Sequence, residues 1–233
     1  MALPRSLPVV CAAAFALMAA LASANATPPS FASVPRPRSV QTGGGAALTL
    51  SANTAITVSD ERLRPHALVL ARDLLYMAGI VAPVAPGLLA PGEQQTDSAA
   101  ATIALVLNAT LADSTNHFYE YRLDVSSTGV VATAGSALAV AHATATLLQQ
   151  LRPAATPGAA SVSAVSVSDW STVEWTGFMY DLARDPVDVP TMKGMIDLAR
   201  FYKMRFLHIF ATAEQVRPAN TPRLPAHSLV QVH

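Results

Sequence analysis

Between Tyr119 and Leu151 the hydrophobic period of this chain changes once, and that change limits what the chain can fold into. Tyr119-Glu-Tyr-Arg-Leu-Asp-Val125 alternates apolar and polar residues, the period of a strand with one buried face. Ser126-Ser-Thr-Gly129 reads as a turn, and Val130 to Ala134 as the returning strand of a hairpin. From Ser136 the period lengthens. Leu138, Ala141, Ala145, Leu148 and Leu151 recur at three- and four-residue steps, and Pro153 and Pro157-Gly158 stop the pattern. A hairpin followed at once by an apolar helix is a unit in which the helix covers one sheet face.

The flanking sequence extends that unit. Leu48 to Val58 reads as a strand, with Leu48, Leu50, Ile56 and Val58 on one side. Ser59 or Asp60 can cap a helix whose first turn tolerates Pro65. Leu68, Leu70, Leu74, Leu75 and Met77 are its expected buried face, and Gly79, Pro83 and Pro86 its stop. Thr102 to Leu107 is a further strand. The order predicts a small α+β domain over 47–168, a β-sheet with helices on one face. Residues 27–46, rich in Pro, Ser and Gly, are expected to be a flexible leader.

Beyond it, Val162 to Val167 reads as a strand between domains. Thr176 to Leu182, Pro190 to Tyr202 and Arg205 to Phe210 read as strand, helix and strand, one βαβ unit over 169–217. Met192, Met195, Ile196, Leu198 and Ala199 supply the helix stripe, and Pro190 suits the first helical position. Pro218, Pro222 and Pro225 break up the remainder, so 218–233 is expected to be an irregular tail. A lone βαβ unit leaves unpaired strand edges and an uncovered apolar face.

The first 26 residues read as a cleavable secretory signal. Arg5 precedes an apolar run from Leu7 to Leu21, and small residues come next at Ala22-Ser23-Ala24 and Ala24-Asn25-Ala26. The run is short for a bilayer span of about 20 residues, so no membrane attachment is expected after cleavage. The expected location is the secretory route: extracellular, lysosomal or periplasmic. The single cysteine, Cys11, falls within the signal, so the mature chain has no thiol and rests on packing. Fifteen basic and 15 acidic residues balance, which gives nothing that steers toward nucleic acid. Asn108-Ala-Thr110 is a glycosylation sequon.

The stretch Val173-Glu-Trp-Thr-Gly-Phe-Met-Tyr-Asp-Leu-Ala-Arg-Asp185, with Met195-Ile-Asp-Leu-Ala-Arg-Phe-Tyr-Lys-Met-Arg-Phe-Leu-His208, resembles the opening of the barrel in family 20 glycoside hydrolases. Tyr119 to Leu151, ending Thr146-Leu-Leu-Gln-Gln-Leu151, resembles the small domain that precedes that barrel. The resemblance implies a zincin-like domain without its zinc site, then the first βαβ unit of a TIM (β/α)8 barrel. It implies the activity of a β-N-acetylhexosaminidase and a glycan containing N-acetylhexosamine as partner, with no cofactor. No His-Glu-Xaa-Xaa-His is present, and the six histidines are scattered, so no metal site is expected.

The family pattern on the first strand is similar to Arg-Gly-Xaa-Xaa-Xaa-Asp-Xaa-Ser/Ala-Arg-His. Gly177, Asp181 and Arg184 match it, while Thr176 and Asp185 depart. By resemblance Arg184 holds hydroxyls of the terminal sugar, a task that suits a fork of fixed donors. Asp181, His208 and Glu214 are further candidates. On the second strand His208 and Gln215 are retained, whereas Phe210 replaces a histidine and Ala213 an aspartate.

No catalytic residue is assigned. The family uses an adjacent Asp-Glu pair on a later strand, the Glu protonating the leaving oxygen and the Asp orienting the substrate's acetamido group. The single Asp-Glu step here is Asp60-Glu61, at an expected helix start where acidic residues are favoured. Sixty residues lie beyond Val173, against about 250 for a closed barrel. The expectation is therefore a truncated hexosaminidase-like chain, inactive alone. The alternative is a secreted non-catalytic carbohydrate-binding or interaction module.

Overall fold

The computed structural model describes residues 31–89, 101–113, 117–182, 184–210 and 227–231. They divide into two compact units, one up to Thr172 and one from Val173. The expected signal at 1–26 lies outside the described residues, as does Glu214.

The first unit is an α/β domain built on a seven-stranded mixed sheet. Its strands are β1 (Ser39–Thr42), β3 (Ala55–Val58), β4 (Val84–Leu88), β5 (Thr102–Leu107), β6 (Phe118–Val125), β7 (Gly129–Ala134) and β10 (Val165–Ser171). They lie in the order β1-β10-β6-β7-β5-β3-β4. The β1, β10, β6 and β7 pairings are antiparallel, and β7-β5-β3-β4 run parallel. Helices α1 (Arg64–Ala78) and α2 (Ala137–Gln150) pack on the sheet and against each other. A small antiparallel sheet joins β2 (Leu48–Leu50), β8 (Arg152–Pro153) and β9 (Ala160–Val162) in the order β2-β9-β8.

Local chemistry sets these elements. On β6 the alternation is real: Tyr119, Tyr121, Leu123 and Val125 are buried, while Arg122 and Asp124 are exposed. Ser136 starts α2, its hydroxyl accepting from the Ala139 N–H at 3.2 Å. Every residue of α2 from Leu138 to Gln150 is buried, so the helix is enclosed rather than amphipathic. Burying Leu147 and Leu148 alone contributes about 1.5–3 kcal/mol each. Asp60 caps a short 3-10 turn that runs into α1, with Pro65 in the first turn of the helix. Gly79 ends α1 in a left-handed conformation, φ 68°, which costs glycine nothing.

Several expectations are corrected. The leader at 27–46 is not wholly flexible, because its residues 39–42 form β1 against β10. A polar clamp also holds it: Gln149 Oε1 accepts from the Ser33 hydroxyl at 3.0 Å and the Val34 N–H at 2.7 Å, and Gln149 Nε2 donates to the Val34 carbonyl at 3.0 Å. Its partners lie more than a hundred residues away, beyond any local pattern. Leu48 to Val58 is two strands in different sheets, broken where the Ser51 N–H donates to the Thr54 hydroxyl at 2.9 Å. On α1, Leu68 and Leu75 are exposed and Ala67, Leu70 and Leu74 form the buried line, because these three recur at three- and four-residue steps and share one face of the helix. Val162 to Val167 is not one strand between domains: Val162 ends β9 in the small sheet, and β10 starts at Val165 and runs to Ser171 inside the seven-stranded sheet.

A polar network ties this sheet to α2. The Tyr121 hydroxyl is 2.6 Å from Thr146 Oγ1 and donates to Asp169 Oδ2 at 2.9 Å, while Asp169 Oδ1 accepts from the Arg38 N–H at 3.2 Å. Burial first, then the Asp169 charge, pushes the Tyr121 phenol well above its ordinary value.

The second unit contains β11 (Gly177–Asp181), α3 (Val189–Phe201), β12 (Phe206–Phe210) and β13 (His227–Gln231). Strands β11 and β12 are parallel neighbours joined through α3, the expected βαβ unit. Asp188 caps α3, accepting from the Thr191 N–H at 2.9 Å, and hydrogen bonding from the Thr191 side chain first, then from its N–H, holds the carboxyl below the usual value. Phe178, Tyr180, Leu182, Leu207 and Ile209 pack with Met192, Ile196 and Ala199 of the helix. Leu198, expected in that stripe, is exposed. The helix ends with Lys203 at φ 59°, and the Met204 N–H returns to the Ala199 carbonyl at 2.8 Å. The tail at 218–233 is not wholly irregular, since β13 pairs antiparallel with β12. Five residues are too few to show a period, and the open edge of β12 supplies the pairing that local sequence does not.

Candidate substrate-binding site

Two of the candidates, Asp181 and Arg184, meet at the C-terminal end of β11. Asp181 is the last residue of that strand. Its carboxylate turns the chain: Oδ1 accepts from the Arg184 N–H at 3.1 Å, and Oδ2 lies 3.3 Å from Arg184 Nε. The Asp185 N–H closes the turn on the Asp181 carbonyl at 3.1 Å. Asp181 thus serves as a turn former and as the partner of Arg184 at once.

Arg184 is held at its base and free at its tip. Its side chain is 86% exposed, so the ion pair itself contributes little, about 0–1 kcal/mol. What the pair supplies is direction. With Nε turned toward Asp181, the remaining guanidinium N–H groups are available to oxygen acceptors.

Residues 177–181 and 206–210 pair in register, placing Met179 beside His208 and Asp181 beside Phe210. Because Phe178, Tyr180, Leu207 and Ile209 face the helix, Met179, Asp181, His208 and Phe210 share the opposite face. His208 is half-buried there, and Met179 is exposed. Gly177 permits the close pairing: a Cβ there would overlap the Phe206 carbonyl oxygen.

The sequence reading missed one contact. The Tyr180 hydroxyl donates to the carbonyl and to Oδ2 of Asp185, each at 3.0 Å. Burial first, then that bond, raises the Tyr180 phenol from its ordinary value. The signal was Asp185 itself, an acid where the family pattern has histidine, and it stiffens the turn that carries Arg184.

The Asp60-Glu61 step lies elsewhere, in the first unit. Asp60 pairs with Arg62 at 2.8 Å and Glu61 with Arg64 at 2.7 Å. The hydrogen bonds from Arg62 hold the Asp60 carboxyl down at about 2, and those from Arg64 lower Glu61. Both are therefore ionised, and neither is suited to protonate a leaving group. Among the described residues no three His, Cys, Asp or Glu side chains form a group able to hold a metal ion.

Comparison with known proteins bears on both units. Residues 32–170 match the model of glycosyl hydrolase family 20, domain 2. A β-N-acetylhexosaminidase of Cellulomonas fimi is 30% identical over 198 residues, covering 84% of this chain and 38% of that protein. An inactive mutant of an exo-β-N-acetylglucosaminidase from Vibrio harveyi superposes with a TM-score of 0.68 at 20% identity, over 81% of this chain and 27% of that one. A mutant β-hexosaminidase of Streptomyces plicatus in complex with its product N-acetylglucosamine gives 0.64 at 28% identity, over 81% and 36%. The mixed-sheet unit thus corresponds to domain 2 of glycosyl hydrolase family 20. The chain belongs to glycosyl hydrolase family 20. It spans well under half the length of these relatives.

Proposed function

We propose that this chain is part of a secreted β-N-acetylhexosaminidase that removes terminal N-acetylhexosamine from glycoconjugates or chitin fragments. The first unit is its zincin-like domain, and β11, α3 and β12 open its TIM barrel. The observation that carries the reading is the placement of Arg184 at the C-terminal end of a parallel strand, oriented by Asp181. In such barrels the loops at that end hold substrate. Arg184 donates to sugar hydroxyls, and Asp181 keeps the guanidinium aimed. His208, on the same face as Asp181, borders the sugar.

The 233 residues by themselves do not hydrolyse glycosides in this reading. In support, the single Asp-Glu step is engaged by Arg62 and Arg64 in the other unit. The proton donor then comes from residues beyond these.

The test compares two polypeptides on a chromogenic N-acetylglucosaminide: this chain, and a longer one translated from the downstream coding sequence. Turnover by the longer chain alone is expected, with Arg184→Ala raising KM at least tenfold. Turnover by the 233 residues would overturn the claim of inactivity. Sugar binding with no turnover by either chain would favour the non-catalytic module.

A further inference from the structure

We propose that Asn108 is an acceptor for an N-linked glycan. The sequon Asn108-Ala-Thr110 comes directly after β5. The structure adds three observations to the sequence motif. All three residues are exposed, so the fold leaves room for a bulky sugar. Asn108 Oδ1 accepts both from the Thr110 N–H at 3.0 Å and from the Thr110 hydroxyl at 2.8 Å. The acceptor amide is thereby fixed through Oδ1 to the hydroxyl residue that defines the motif.

The two atoms of the amide have separate tasks. Oδ1 caps the turn Ala109–Leu111, and Leu111 is buried beneath it. Glycan transfer uses Nδ2 alone. The Nδ2–C1 bond forms, and the bond from C1 to the pyrophosphate of a lipid-linked oligosaccharide breaks. The pyrophosphate leaves with the electron pair, and the amide proton passes to a base of the transferase. Oδ1 remains an acceptor throughout, so the modified chain keeps its cap. A glycan here needs no rearrangement of the fold.

This inference rests on the secretory reading of the N-terminus, and the experiment separates the two. The full chain is translated with microsomes, and protease protection scores translocation independently of modification. If its own N-terminus does not translocate, the same chain behind a cleaved heterologous leader supplies the readout. Translocated chain should show one discrete mobility shift, reversed by peptide-N-glycosidase. The shift should vanish in Asn108→Gln and in Thr110→Ala, survive in Thr110→Ser, and survive in Asn25→Gln, which removes the other sequon, Asn25-Ala26-Thr27. Translocated chain without a shift, or a shift retained in both Asn108→Gln and Thr110→Ala, would overturn the proposal.

Discussion

Tyr121 and Asp169 sit directly opposite each other on β6 and β10, and the phenol donates to the carboxylate across 2.9 Å inside the first unit. The pair links two strands and, through Thr146, the helix above them. Tyr121→Phe removes the donor and leaves a buried carboxylate oxygen with one hydrogen bond fewer. That costs about 1–3 kcal/mol, read as a lower urea midpoint. The raised phenol also sets a pH dependence. Its contribution is complete below the ordinary value of 10.0 and is lost as pH rises through the higher folded value. Alkaline titration of tyrosinate absorbance should show a phenol that ionises only as the chain unfolds, absent in Tyr121→Phe. An unchanged midpoint and titration would show that the pair does not stabilise the fold.

Gln149 reaches Val34 as another strand would, accepting from its N–H and donating to its carbonyl. Gln149→Leu keeps the volume and deletes both bonds, at about 0.5–1.5 kcal/mol each. Hydrogen exchange at the Val34 amide should accelerate while amides of β6 and β7 stay protected. Equal protection in the variant would show that the segment is held by packing instead.

Gly177→Val tests the close approach of β11 and β12. A side chain there meets the Phe206 carbonyl, and the overpacking costs about 1–3 kcal/mol. The second unit should lose exchange protection selectively, with residues 31–172 unaffected. A variant with both units intact would show that the strands can part without harm.

Residues 172–175 are exposed at the boundary between the units. A protease of broad specificity should cut first within 172–175, leaving a resistant fragment that ends there. Cutting in the stretch 152–171 should be slower, because β8, β9 and β10 are paired within sheets. First cleavage in that stretch would contradict the assignment of β10 to the first unit.

What the sequence disclosed was whatever short-range chemistry determines. Asp60 announced its cap, Gly79 its stop, and the alternation from Tyr119 its buried face. What stayed hidden depended on distant partners. Ser39 to Thr42 has no strand signature of its own and becomes β1 because β10 is there to pair with it. Leu68 and Leu75 look like core residues until Ala67, Leu70 and Leu74 are seen to hold the buried face. At the candidate site, Asp181 and Arg184 were legible as a pair of family positions, but not as a turn that the carboxylate itself folds. The bond from Tyr180 to Asp185 crosses a five-residue interval that no motif marks.

The direction of β13 carries a consequence for any larger assembly. A closed ring of parallel strands needs a co-directional neighbour along the free side of β12, and a reversed strand now occupies that side. Both arrangements cannot exist together. If more polypeptide completes the ring, residues 227–231 must first give up their place, so ring closure would be a competition for one row of backbone donors and acceptors, with β13 as its incumbent.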